Sequence, residues 1–118
     1  MKYMLLVYMP EDAMDDAERQ ACYVESTALC HELVGKGQFL GANPLQPVAT
    51  ASSVRVREGR RLVTDGPFAE THEQLGGYFL VEANDLSDAV SIAARIPAAK
   101  RGTVEVRPVF ELTGLPVT

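Results

Sequence analysis

The run KYMLLVY, residues 2–8, constrains the fold more than any other stretch, because it has no polar face. Tyr3, Leu5 and Val7 alternate with Met4, Leu6 and Tyr8, so a strand here is apolar on both sides. Such a strand belongs in the interior of a sheet covered on both faces. The run ends at Pro10 after a single lysine, with no small-residue cleavage site, and reads as a strand rather than a signal peptide. No stretch approaches the ~18 apolar residues of a membrane span, so a cytoplasmic protein with no membrane partner is expected.

The rest of the chain supplies the cover for one face. Residues 13–34 carry Ala17, Ala21, Val24 and Ala28 at helical spacing, widened by Cys22, Leu29 and Leu33. Gly35-Lys36-Gly37 ends that helix. Residues 39–48 hold prolines at 44 and 47 and read as an irregular or edge strand. Residues 52–65 form a hairpin, with Val54 and Val56 alternating with Arg55 and Arg57 and Glu58-Gly59 at the turn. GGYFLVEA is a second strand apolar on both faces. Asp85 caps a helix stopped by Pro97, and residues 103–110 alternate until Pro108, as an edge strand does.

This order predicts an α+β domain over residues 1–111, with a loose tail over 112–118. Its architecture is a ferredoxin-like split βαβ sheet, both helices on one face, with an inserted β-hairpin. The other face, lined by the second apolar side of KYMLLVY, needs a cover of its own. A second subunit in a two-fold homodimer supplies one; the inserted hairpin and tail are the alternative.

The chain carries 16 acidic and 11 basic residues, net charge −5, which argues against direct nucleic-acid binding. Cys22 and Cys30 lie on one helix, roughly 12 Å apart, too far for a disulfide. They suit a reducing compartment.

The connection LVTDGPFAETHEQLGGYFLVE, residues 62–82, holds more polar groups than a turn needs. Asp65, Glu73 and His72 are the acid–base candidates, since carboxylate and imidazole both exchange protons. Gly66, Pro67, Phe68 and Glu70 form a rigid turn that can aim groups into a cleft, and Gly76 and Gly77 permit close backbone approach. Glu105 and Arg107, alternating with Val104 and Val106, point away from the helices and are candidate cavity-lining residues. The same residues also suit a braced turn and an ordinary cross-strand pair. A closed metal site needs three or four convergent ligands, and among Glu70, His72 and Glu73 the His-Glu pair lacks a second histidine at i+4, so no metal is expected. There is no phosphate loop or dinucleotide fingerprint, and no cofactor is expected. Arg55, Arg57, Arg60 and Arg61 make the hairpin basic, as a solvated edge or as a seat for an acidic partner.

The stretches VRVREGRRLVTDGPFAETHEQLGGYFLVEANDL and AARIPAAKRGTVEVRPV resemble the DGPF branch of the YCII-related (YciI-like) family, with the similarity running from MKYMLLVY to EVRPV. The resemblance implies a dimeric α/β barrel made by two ferredoxin-like sheets stacked face to face. It also implies a neighbourhood with extracytoplasmic-function sigma factors. The broader family carries a histidine in its first helix and an acid nearby. Ser26 stands at that place here, and His31 lies further along. Two functional expectations follow. One is a protein that binds an unknown small molecule in a cleft near Asp65–Glu73, acting as a cofactor-independent acid–base enzyme. The other is a non-enzymatic regulatory module associated with a sigma factor.

Overall fold

The computed structural model describes residues 1–69 and 71–116. Six strands and two α-helices follow in the order β1 (Lys2–Met9), α1 (Asp16–Gly35), β2 (Phe39–Pro44), β3 (Ser52–Arg57), β4 (Arg60–Asp65), β5 (Gln74–Glu82), α2 (Leu86–Ala94) and β6 (Thr103–Pro108). Short 3₁₀ turns at Val48–Thr50 and Pro97–Lys100 complete the path. The main sheet is antiparallel with order β2-β5-β1-β6, and β3 pairs with β4 in a separate two-stranded sheet. This is an α+β arrangement consistent with a ferredoxin-like fold carrying an inserted hairpin. The two strands without a polar face, β1 and β5, are its two interior strands, and the two proline-marked strands are its edges.

Side-chain alternation then sorts the sheet into two faces. Tyr3, Leu5 and Val7 of β1 and Phe79 and Val81 of β5 are buried beneath the helices, with Val104 and Val106 of β6 packed beside them. Leu29 and Leu33 of α1, and Ala89, Ile92 and Ala93 of α2, close this core. The opposite face carries Met4, Leu6 and Tyr8 beside Tyr78 and Leu80, all half-buried in the single chain. Asn43 donates to the Tyr78 hydroxyl at 3.0 Å along one border, and Glu105 and Arg107 of β6 line the other. Both α-helices pack on the first face and neither covers this one.

The helix ends follow their sequence signals. The Asp15 carboxylate accepts from the Glu18 N–H at 2.8 Å, and Glu18 accepts in return from the Asp15 N–H, a capping box. The Asp85 carboxylate accepts from the Asp88 N–H at 2.9 Å. Gly37, at φ +70°, lets the Gln38 N–H reach the Leu33 carbonyl and close α1.

The buried face of α1 differs from the one its alanines suggest. Ala17, Ala21, Val24 and Ala28 face solvent, while Cys22, Ser26, Leu29, Cys30 and Leu33 face the sheet. The reason is size. Burial of Leu29 and Leu33 removes far more apolar surface from water than burial of alanines, so the leucines set the helix rotation.

Candidate functional site

A groove of about 800 Å³ runs between the N-terminal half of α1 and the sheet. Small residues stand at points on both of its walls. Where α1 carries leucines it touches the core, but one and two turns upstream it presents Ser26 and Cys22. The facing strand contributes Gly76 and Gly77, which lack side chains altogether. Val7, Met9, Met14, Phe79 and Ile96 make much of the remaining lining apolar, and the stretch Asn43–Pro47 forms its rim.

Gly77 has a second duty. A Cβ there would meet the Asn43 carbonyl oxygen at 3.0 Å and the Pro44 Cα at 3.2 Å. The Leu45 N–H donates to the Gly76 carbonyl at 2.8 Å, so the rim segment is strapped to the start of β5. The register of β1 against β5 also slips here, between Val7 opposite Gly77 and Tyr8 opposite Leu75.

The charged side chains among the described lining residues are Glu11 and Arg19, and both are engaged locally. The Arg19 guanidinium donates to Asp16 at 3.1 Å and to the Glu11 and Met14 carbonyls at 3.4 Å. The Glu11 carboxylate accepts from the Val48 N–H at 2.9 Å, tying the loop before α1 to the rim. Thr27 donates to the Tyr23 carbonyl at 2.8 Å. Ser26 lines the groove one turn before Leu29. Burial raises the Cys22 thiol above its ordinary value, Glu25 adds to the effect and Arg101 opposes it. Burial also raises Cys30. Both thiols are therefore protonated at neutral pH, which suits them to packing and weak hydrogen bonding rather than nucleophilic attack. The groove offers an apolar volume with neutral hydrogen-bonding groups along α1.

The residues singled out from the sequence fall in separate places. Gly76 and Gly77 line the groove. Asp65, Gly66, Pro67 and Phe68 sit at the base of the hairpin. Gly66 takes φ +101°, its N–H donates to the Ala51 carbonyl at 2.7 Å, and Ser53 donates to its carbonyl at 2.8 Å. Phe68 is 74% exposed and lies under the Arg55 guanidinium, 4.9 Å from ring centroid to Cζ. Asp65 and His72 are exposed, and the half-buried Glu73 accepts from the Thr103 hydroxyl at 3.1 Å. Glu105 and Arg107, 3.7 Å apart as an ion pair, lie on the open sheet face. Glu70 is outside the described residues. None of the described residues from Asp65 to Glu73 lines this groove. The lining residues from α1 were missed as a group. Their signal was the exchange of leucine for serine and cysteine along one helix face. Ser26 lines the groove, whereas His31 faces solvent.

Two comparisons with known proteins bear on this chain. Residues 1–113 match the model of the YCII-related domain. An uncharacterised protein of Rhizobium meliloti (strain 1021) is 33% identical over 113 residues, covering 92% of this chain and 91% of that one.

Proposed function

The chain belongs to the YCII-related family, and from that premise we propose that it binds a small molecule in the groove beneath α1, working as a homodimer. The groove itself carries the reading. Its volume of about 800 Å³ is that of a metabolite site, within the range of roughly 300–1,000 Å³ typical of such pockets. Its lining favours an uncharged ligand with an apolar body, held at one end by the Ser26 hydroxyl.

Any acid–base chemistry in this groove has to work without an ionised residue poised inside it, since Glu11 and Arg19 are held by the loop. Glu73 and Asp65 remain candidates only if the ligand extends beyond the groove toward the start of β5. The open sheet face supports the homodimer, because Met4, Leu6, Tyr8, Tyr78 and Leu80 form a continuous apolar surface. The reading as a regulatory module beside a sigma factor draws instead on the exposed basic hairpin.

A metabolite screen by ligand-observed NMR, repeated on Ser26→Phe, Asp65→Asn and Glu73→Gln, separates these sites. The expected result is a hit whose binding is lost in Ser26→Phe, with unchanged circular dichroism, and kept in the two acid variants. Loss in the acid variants with retention in Ser26→Phe would move the site to residues 65–73.

A further inference from the structure

We infer that the β3–β4 hairpin is a docking arm that binds the acidic surface of a second copy of this chain. Among the described residues, the two strands pair with each other and with no third strand. The molecule is accordingly extended, with a Cα radius of gyration of 16.0 Å, where a compact domain of this length has about 13.5 Å. Lone two-stranded hairpins are marginal in water and gain stability by laying an apolar face on something else. This one has such a face. Val54 stands opposite Val63, and Val56 stands beside them opposite Arg61. The three valines are 60%, 58% and 62% exposed in the order named, Val54, Val63, Val56. The other face presents Leu62 among Arg55, Arg57 and Arg60.

Charge selects the occupant. Residues 52–65 hold four arginines against Glu58 and Asp65, a net charge of +2. The whole chain is at −5, so the remainder is at −7. None of the four arginines makes an ion pair with another described residue. A polyanion such as nucleic acid would be drawn to the arm but repelled by the body. A second copy presents an acidic body to each arm, and reciprocal exchange of two arms closes with two-fold symmetry. The arm contact is independent of the sheet-face contact.

The test is sedimentation equilibrium on the full chain, its Arg57→Glu/Arg60→Glu/Arg61→Glu variant and its Leu6→Arg variant, at low and high salt. Hydrogen exchange of the hairpin amides is followed across the same concentration range. The expected result is a dimer dissociation constant raised at least tenfold by the triple charge reversal and by salt. The thermal melt of the dilute protein should be unchanged, and hairpin amides should be protected only where the dimer forms. A dissociation constant unmoved by the triple variant, with hairpin exchange independent of concentration, overturns the arm. If Leu6→Arg disperses that same dimer, the sheet-face reading survives the arm's failure. A parent that stays monomeric throughout overturns both. Retention of a 20-base-pair duplex by the parent, lost in the triple variant while assembly is unchanged, makes the hairpin a nucleic-acid contact and overturns the arm as well.

Discussion

Glycines that look alike in the sequence differ sharply once their neighbours are known. A Cβ on Gly102 would lie 2.1 Å from the Tyr8 carbonyl oxygen and 2.6 Å from the Met9 Cβ, so backbone would have to move. Gly102→Ala is expected to cost about 3 kcal/mol, seen as a fall in melting temperature on the order of 10 °C. Gly41→Ala, with nothing within 4 Å of its new methyl, should stay within about 0.5 kcal/mol of the parent. Equal melting temperatures for the two variants would contradict the packing at Gly102. The thiols give a second check. Burial raises both, so the folded protein holds their protons more tightly than the unfolded chain does. That contribution is fully present below the unfolded thiol value of about 8.5 and is lost as pH rises through the higher folded values. Alkylation by iodoacetamide should be slow at pH 7 and rise with a midpoint above that of a free thiol. Fast alkylation at neutral pH would mean an activated cysteine and would reopen nucleophilic chemistry in the groove.

At the scale of elements, α1 shows why a count of helical spacings can select the wrong stripe. Its alanines repeat with good period but remove little surface from water wherever they point, while two leucines decide the rotation. Leu33→Ala should therefore cost about 3 kcal/mol, against at most about 0.5 kcal/mol for the exposed Val24→Ala. Urea denaturation of the two variants checks this, and a reversed order would restore the alanine face. The hairpin turn was legible because its chemistry is local: Glu58 and Gly59 both take positive φ, at 51° and 74°. Glutamate is strained there and asparagine is favoured. Glu58→Asn should slow hydrogen exchange of the β3 and β4 amides by a few-fold while leaving the main-sheet amides alone. Faster exchange would argue against this turn geometry.

At the scale of the molecule, the open sheet face and the projecting hairpin are both surfaces that a single chain leaves apolar. If the proposed dimer covers the sheet face, light scattering at micromolar concentration should give about twice the 12.8 kDa chain mass. The melting temperature should then rise with protein concentration, because association stabilises the folded chain by mass action. A concentration-independent melt with the mass of one chain would leave that face without a partner.

The sequence alone determined the strand–helix order, the interior position of the two doubly apolar strands, the proline-marked edges, the helix caps and the hairpin turn. Each of these is written in periodicities of two and 3.6 residues or in one or two residues of special backbone chemistry. Only the tertiary structure reveals the groove beneath α1. A groove is a volume left unfilled between distant segments, here Cys22 and Ser26 of α1 and Gly76 and Gly77 of β5, and no local pattern records what two segments fail to fill. The polar richness of Asp65–Glu73 does not mark this groove, which none of its described residues lines. The Asp65–Phe68 turn is held by Ala51, just before β3, and by Ser53 of β3, and Glu73 is held by Thr103 of β6. These partners lie far along the chain and become neighbours only when the sheet and hairpin form.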